Sequence, residues 1–550
     1  MTALALLALL LPLALIPGLL APASRPMAQR VAPWAPLPAL ALATADDFSF
    51  DLPGVLVGVT LGLDASGRLF LAFTALVWLI AGSFAHGWLR DDPRPARFWV
   101  FWLATLAGNL GVCLALDAVS FYFFFALMSF AAYGLVVHAG SEAALRAGRV
   151  YLGMAVLGET ALVMGLLLAV RAADAHTFAA LAAAPASEAA VWLLIVGFGI
   201  KLGVPLLHMW LPLAHPVAPV PASAVLSGVM LKAGLLGWLR CLPLGTQALP
   251  DAGLVLMLAG LAAMFLGVVA GLMQRNLKVL LAYSSVSQMG YLSFGVGAGL
   301  LAPTAWPLLL PALGLYALHH ALAKSALFLG AGLIRVRGVT PLRLALLALP
   351  ALALAGAPLS SGALAKTGLT LALAGLPAPW PMLADNLLPL AALGTALLMA
   401  RFLWLAWQTP APTMPTATRG LHAPWLLGVL ASVLLVWVWA PEAVRTHAVM
   451  TGALASAGWP LALALVLAAA AMRLRVAAPA LPPGDLLEWL TRALARCRAH
   501  QPAGAVLRPA PVVRAGAGIW PRITGRPARS VRIGLLWLGV LMSLLALLAR

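Results

Sequence analysis

Five lysines are the residues of this chain most suited to proton chemistry. The sequence has 29 Arg but only five Lys, and four of the five lie inside long apolar stretches, while nearly all Arg lie between such stretches. A buried Lys can release its proton, whereas Arg stays charged. This distribution, with Lys inside the apolar stretches and Arg between them, therefore predicts proton handling within a membrane. The five are Lys201, Lys232, Lys278, Lys324 and Lys366.

Other proton-carrying groups accompany these lysines. Tyr316, His320 and Lys324 recur every four residues and share one helix face, with His319 beside them. Glu159 is the one acid that lies clearly in the middle of an apolar span. Because one carboxylate cannot neutralise four cations, some of these lysines are expected to be neutral part of the time, as a relay requires.

Two apolar spans are interrupted by proline close to a lysine. Pro205 follows Lys201 by four residues, and Pro358 precedes Lys366 by eight. Proline removes a backbone donor and clashes with the preceding turn. Broken helices at membrane depth line cavities and serve ion sites in transporters. We therefore predict helix breaks at both prolines.

The elements that position these residues are predicted to be membrane helices. The chain is 63% hydrophobic and 9% charged, and apolar runs of spanning length recur along it. We predict an all-α polytopic membrane protein with about 14–16 transmembrane helices. The spans are placed near 2–21, 33–45, 68–89, 98–116, 118–138, 150–171, 190–211, 218–240, 251–272, 278–300, 305–334, 341–376, 386–408, 422–440, 452–472 and 531–549.

These spans group into six segments. The two breaks lie five helices apart, an odd number, so two five-helix units would lie inverted in the membrane. The segments are 1–97 with N-terminal helices, 98–240 as the first inverted repeat, 251–408 as the second, 409–472 with C-terminal helices, 473–530 as an Arg-rich segment, and 531–550 as a final helix.

The net charge of +18 does not indicate nucleic-acid binding, because the Arg residues mark one side of the helices. With the N-terminus outside, most short-loop cations fall inside and most acids outside. We expect a multi-pass protein of a bacterial-type inner membrane. The 473–530 segment is expected to lie on anionic headgroups, or to act as a brace or docking arm for a partner subunit.

No cofactor is expected in this chain. The three cysteines are isolated, and the sequence contains no CxxC pair, phosphate-binding loop or dinucleotide fingerprint. A metal site at His208 and His215 has little support.

Lys278, at a span end, is expected to be structural. The polar stripe Ser284, Ser287, Gln288 and Tyr291 either joins helices or lines a wetted half-channel.

Several of these stretches are similar to one family. KLGVPLLHMWLPLAHPVAPVPASAVLSGVMLKAGLLGWLR, LKVLLAYSSVSQMGYLSFG and HHALAKSALFLGAG resemble the antiporter-like subunits of respiratory complex I, Mrp-type cation/proton antiporters, energy-converting hydrogenases and formate hydrogenlyase. The resemblance runs from about residue 98 to 408. It implies two inverted five-helix units, each with a broken helix.

The resemblance also implies roles for individual residues. Lys201 would be the switching lysine of the first unit, Lys232 its link toward the midline, His320 and Lys324 the middle of the hydrophilic axis, and Lys366 the terminal residue. Tyr316 stands where some relatives carry His. The family usually has Glu in its fifth helix, where this chain reads FYFFFALMS with Ala126. Glu159 is the candidate to replace it.

Three hypotheses follow. The first is a proton-translocating, non-redox membrane subunit of a complex I-like, hydrogenase-like or Mrp-type assembly, with other membrane subunits as partners and protons, or Na⁺ as well, as the ions. The second is a non-conducting scaffold that anchors a partner. Ala126, at the position where the family usually has Glu, favours this hypothesis. The third is a partner subunit in inorganic-carbon uptake, where relatives of this fold occur.

Overall fold

The fold is a bundle of long apolar helices. A computed structural model describes residues 1–410, 420–474 and 481–482 of the chain. Within these ranges eleven helices are long and apolar enough to cross a membrane, which confirms the all-α polytopic prediction. The two broken helices and one long helix with a polar stripe, described below, bring the passes to the lower end of the predicted 14–16.

The N-terminal region differs from the prediction. Its helices and strands are α1 (Thr2–Leu20), α2 (Arg25–Val31), α3 (Leu37–Leu42), β1 (Phe48–Leu52), β2 (Val59–Leu63) and α4 (Ala65–Trp88). The predicted span 33–45 contains no helix of spanning length, because Pro33, Pro36 and Pro38 interrupt it. The antiparallel β1–β2 hairpin was not expected.

A first set of helices carries Lys201 and Lys232. Its members are α5 (Pro95–Leu114), α6 (Ala118–Val136), α7 (Glu142–Ala173), α8 (Phe178–Ala183), α9 (Glu188–Leu202), α10 (Trp210–Val217), α11 (Val220–Val225) and α12 (Leu231–Cys241). The break between α9 and α10 falls at Pro205. A five-residue π-helix joins α11 to α12.

A second set carries the remaining relay candidates, and three helices follow it. The set comprises α13 (Pro250–Leu272), α14 (Leu277–Leu301), α15 (Trp306–Arg337), α16 (Pro341–Ala355), α17 (Ser361–Leu373) and α18 (Trp380–Trp407). After it come α19 (His422–Trp439), α20 (Glu442–Ala448) and α21 (Thr451–Arg473). The predicted helix 531–549 and nearly all of the Arg-rich segment 473–530 lie outside the described residues.

Contacts between loops define two opposite surfaces. On the first, Leu61 of the hairpin pairs with Ala115, and Asp117 pairs with Thr177. Arg240 closes this surface by donating to the Ala115 carbonyl at 2.5 Å and to Asp64 at 3.0 Å. We call it the acidic surface, because the hairpin and the loops 115–117 and 174–187 carry aspartates. The loop 242–249 belongs to the same surface, since Gln247 bonds Ala184 and Ala186.

The opposite ends of the same helices form the basic surface, which we define by the loops 89–94, 137–141 and 273–276. Here Arg94 donates to the Ala139 carbonyl at 3.1 Å, and Arg97 donates to the His138 carbonyl. Helix α5 starts at the basic surface, whereas α13 starts at the acidic one. The two sets of helices therefore enter the bundle from opposite sides.

Helices α14 and α15 form the centre of the bundle. Every residue of α14 from Lys278 to Leu300 is buried, and the apolar window of α15 is 100% buried. Polar side chains on these two helices are thus held away from lipid and can only bind one another or neighbouring helices. This is where most of the predicted relay residues lie.

Candidate functional site

Lys201 lies at the end of a half-helix. Helix α9 ends at Leu202, and Gly203 takes a left-handed φ of +84° that terminates it. Pro205 then prevents the helix from resuming at once. The lysine therefore sits at a helix C-terminus, where the helix dipole and free carbonyls favour a cation. Pro205 thus lies inside the break, three residues after the end of α9.

The Lys201 ammonium group has one hydrogen-bond partner and two aromatic neighbours. Its Nζ donates to the Ser129 hydroxyl at 2.8 Å. The same nitrogen lies 5.5 Å from the ring centroid of Phe125 and 5.9 Å from that of Tyr151. Aromatic faces stabilise a cation without removing its proton. The site can thus hold a charged lysine that is only 7% exposed.

Glu159 lies on α7, facing the same small cavity as Lys201. It is 4% exposed. The two side chains form no direct ion pair; those within the described ranges are Arg68–Asp47, His138–Asp92 and Arg240–Asp64. Glu159 lies close enough to interact electrostatically with the Lys201 amine and with the Ser129 hydroxyl. The expected carboxylate partner of Lys201 is therefore at the site, without a direct ion-pair contact to the amine.

Lys232 follows the π-helix at Leu226–Met230, which changes the backbone bonding one turn before it. The Lys232 Nζ donates to the Ser227 carbonyl at 2.7 Å and also bonds Nδ1 of His320. Gly234 lets α12 approach α9 closely, because a Cβ there would lie 2.7 Å from the Phe198 carbonyl oxygen. The two helices that carry Lys201 and Lys232 are thus in direct contact.

His320 and Lys324 continue the line along α15, one turn apart. Lys324 donates to the Leu281 carbonyl at 2.8 Å and bonds the Ser284 hydroxyl of α14. His319, on the adjacent position, bonds the Ser361 hydroxyl at 3.0 Å through Nδ1. Because Ser361 begins α17, His319 connects α15 to the helix that carries Lys366.

Tyr316 lies in a chain of hydrogen bonds one turn before His320. Its hydroxyl donates to Oε1 of Gln288 at 2.8 Å, and the Gln288 amide donates to the Thr395 hydroxyl at 3.0 Å. The Tyr316 ring stacks on Tyr291, with centroids 5.3 Å apart. Among the stripe residues, Ser287 bonds the Met264 carbonyl and joins helices. The other three contact relay candidates.

Lys366 lies at the second break, which repeats the geometry of the first. Gly356 ends α16 with a φ of +85°, and Pro358 follows two residues later. The Lys366 Nζ reaches back to the Ala355 carbonyl at 2.8 Å and lies 5.7 Å from the Tyr291 ring centroid. It therefore binds the carbonyl end of the preceding half-helix.

A cavity of about 210 Å³ opens beside Lys366. Its walls come from α14, α17, α18, α20 and α21, and its polar lining includes Tyr291, Lys366, Thr367, Thr370, His447 and Ser456. A cavity this large holds several water molecules. His447, on the short helix α20 between α19 and α21, lines this cavity together with Lys366.

The structure places the predicted residues on adjoining helices. Lys232 bonds His320, and His319 and Lys324 lie on the same helix as His320. Lys201 and Lys366 lie beside the two breaks, on helices that pack against α12 and α15. Lys278 lies apart and donates to the Ala218 carbonyl at 2.6 Å, a bond that ties a loop to α14. His215 stacks on Phe328, with centroids 4.6 Å apart.

Sequence reasoning missed several participants. Ser129, Ser361, Thr395 and His447 are single polar residues on four different helices, and their types alone carry no spacing signal. Ser129 lies three residues after Ala126, on the same helix face, which is the signal that could have found it. In the described part of the chain no cluster of three His, Cys, Asp or Glu residues could hold a metal ion.

Residues 115–384 match a protein family described as NADH:quinone oxidoreductase/Mrp antiporter, transmembrane. The chain is 32% identical over 299 residues to hydrogenase-4 component B of Escherichia coli, a match covering 52% of this chain and 44% of that protein. It is also 32% identical over 288 residues to NADH-quinone oxidoreductase subunit N of Desulforudis audaxviator, covering 50% of this chain and 56% of that subunit.

The chain spans about half the length of these curated relatives. A solved Mrp complex from a Dietzia species is similar in fold, with a TM-score of 0.66 and 22% identity, covering 100% of this chain and 63% of that one. The family match at residues 115–384 covers most of the two sets of helices that hold the buried lysines.

Proposed function

We propose that this chain is a proton-translocating membrane subunit of a multi-subunit complex, because residues 115–384 match the NADH:quinone oxidoreductase/Mrp antiporter transmembrane family. The related proteins are a hydrogenase component, a quinone oxidoreductase subunit and an Mrp complex. The chain would be a non-redox subunit that receives its driving energy from partner subunits. Protons are the proposed ion, with Na⁺ as the second ion that the relatives allow.

One observation carries the proposal: buried amines and imidazoles form a line between two broken helices. Lys232, His320 and Lys324 are 0% exposed, and Lys232 and His320 share a direct hydrogen bond. Charges at such depth are costly unless they are paired or neutralised. A line of amines without adjacent carboxylates is stable when some of them are neutral, and neutral amines can accept a proton.

The proposed movement starts at Lys201. When its carboxylate partner Glu159 becomes protonated or moves away, the Lys201 ammonium loses stabilisation and releases its proton. The proton passes toward Lys232, then His320 and Lys324, with water completing the gaps. Charge repulsion along this line favours release from Lys366 into the cavity beside His447. We place the acidic surface outside, and the basic surface inside, a bacterial-type inner membrane.

Proton pumping by the assembled complex carrying Lys201→Ala tests this function. Reconstituted vesicles with a pH-sensitive dye should show strongly reduced translocation, while the partner subunits still assemble. Undiminished pumping in a normally assembled complex would remove Lys201 from the pathway and reject the proposal.

A non-conducting scaffold is the second candidate, because Ala126 stands where the family carries Glu. A scaffold responds to neither Ala126→Glu nor Glu159→Gln. A relay responds to Glu159→Gln with a loss of translocation. The pair of variants therefore distinguishes the two functions in the same vesicle assay.

A further inference from the structure

Ser129 lies beside both charged groups of the first helix set. Its hydroxyl accepts a hydrogen bond from the Lys201 Nζ at 2.8 Å, and it lines the same small cavity as Lys201 and Glu159, within reach of the Glu159 carboxyl. A hydroxyl can accept one hydrogen bond while it donates its own proton in another. The serine is 1% exposed, so bulk water does not compete for either bond.

Contacts of the Ser129 backbone also hold this residue in place. The Tyr151 hydroxyl donates to the Ser129 backbone carbonyl at 2.8 Å, and the Tyr151 ring packs edge-on against Trp210, with centroids 5.3 Å apart. Trp210 in turn donates to the Ile200 carbonyl at 2.8 Å, one residue before Lys201. This loop of contacts sets the distance between α6 and the broken helix.

We propose that Ser129 is a positioning residue that links Lys201 to Glu159 and stands in for the direct ion pair that Ala126 cannot form. The proposal rests on the proposed function. In the exchange that recharges the lysine, a protonated Glu159 gives its proton to the Ser129 oxygen as the Ser129 hydroxyl proton moves onto the Lys201 amine. A carboxylic acid and an amine become a carboxylate and an ammonium, and the hydroxyl is regenerated.

Two features of the site support this link. Ala126 and Ser129 are three residues apart and both buried, at 1% each, so they lie on one face of α6. The Glu159 Oε2 has no hydrogen-bond partner among the described residues, and it faces a cavity of about 20 Å³ that Ser129 and Lys201 also line. The carboxyl thus retains one oxygen free to change its bonding during the exchange.

The test compares Ser129→Thr with Ser129→Val in the intact complex. These two variants have nearly the same shape and differ in the hydroxyl, so a packing effect would alter both equally. Proton translocation in vesicles should be largely kept by Ser129→Thr and lowered at least about tenfold by Ser129→Val, the factor expected for losing a hydrogen bond to a charged group. Ser293→Ala, a buried serine bonded to its own helix, is the control.

An infrared difference spectrum gives a second measurement that does not depend on transport. The carboxyl band of Glu159, assigned with Glu159→Gln, should shift in Ser129→Val and stay in place in Ser129→Thr. If Ser129→Val fails to assemble, the same shift is expected in Ser129→Ala. Adding Ala126→Glu to Ser129→Val should restore translocation by supplying a direct carboxylate.

The outcomes separate this inference from the proposed function. Equal translocation and an unshifted band in the Thr and Val variants, together with loss of pumping in Lys201→Ala, overturn the role of Ser129 alone. Pumping that survives Lys201→Ala overturns the proposed function itself.

Discussion

Replacing Lys201 with arginine tests whether the cation at this position must lose its proton. Lys201→Arg keeps the charge, the hydrogen bond to Ser129 and the contacts with the two aromatic rings. The free side chains differ in pKa by at least about 2 units, so deprotonation costs about 3 kcal/mol more in the variant. If release of the proton lies on the pathway, translocation should fall at least about 100-fold.

The matched control is Lys278→Arg. Lys278 is 8% exposed, close to the 7% of Lys201, but it only bonds the Ala218 carbonyl of a loop. Both variants would be measured in reconstituted complex by dye-monitored proton uptake, with assembly checked by size-exclusion chromatography. We expect loss in Lys201→Arg and near-normal uptake in Lys278→Arg. Normal uptake by the Lys201→Arg complex would refute the claim that this lysine must become neutral.

Three further predictions follow from the described contacts. Gln288→Leu should lower stability by about 1–3 kcal/mol, because the buried Tyr316 hydroxyl loses its acceptor; thermal unfolding of the complex measures this. Ala453→Trp should fill the cavity beside the terminal lysine and reduce translocation, whereas Leu463→Trp on the exposed face of the same helix should not. Burial lowers the pKa of His138 despite the opposing effect of its aspartate partner. The folded state therefore binds this proton less readily than the unfolded state, and stability should fall as the pH drops below about 6.5. His138→Gln should flatten that fall, as melting temperatures across this range would show.

The relay candidates could be predicted from sequence because their signals are local. A lysine in an apolar run indicates a buried lysine. A proline shortly after a glycine indicates a helix break, and polar residues four positions apart indicate a shared helix face. The structure joins Lys232 to His320, and it places Pro205 and Pro358 at the two breaks. The helical type of the long spans followed from their apolar length.

The remaining features depend on contacts between distant segments. The hydroxyl bridge at Ser129 needs α6, α7 and α9 to meet, and no periodicity in α6 encodes that meeting. The hairpin at 48–63 consists of two five-residue strands, too short to give a clear alternating pattern. The span expected at 33–45 was wrong because three prolines outweigh its apolar composition.

The central claim is that buried lysines exchange protons, and the amine nitrogens can be observed directly. Because the chain has five lysines, ¹⁵N labelling of lysine in this subunit alone gives a small set of side-chain signals that single substitutions can assign. Solid-state NMR of the intact complex, recorded as a function of pH, should show at least one of Lys201, Lys232, Lys324 and Lys366 as a neutral amine near neutral pH. Ammonium signals from all five lysines across the working range would contradict the account.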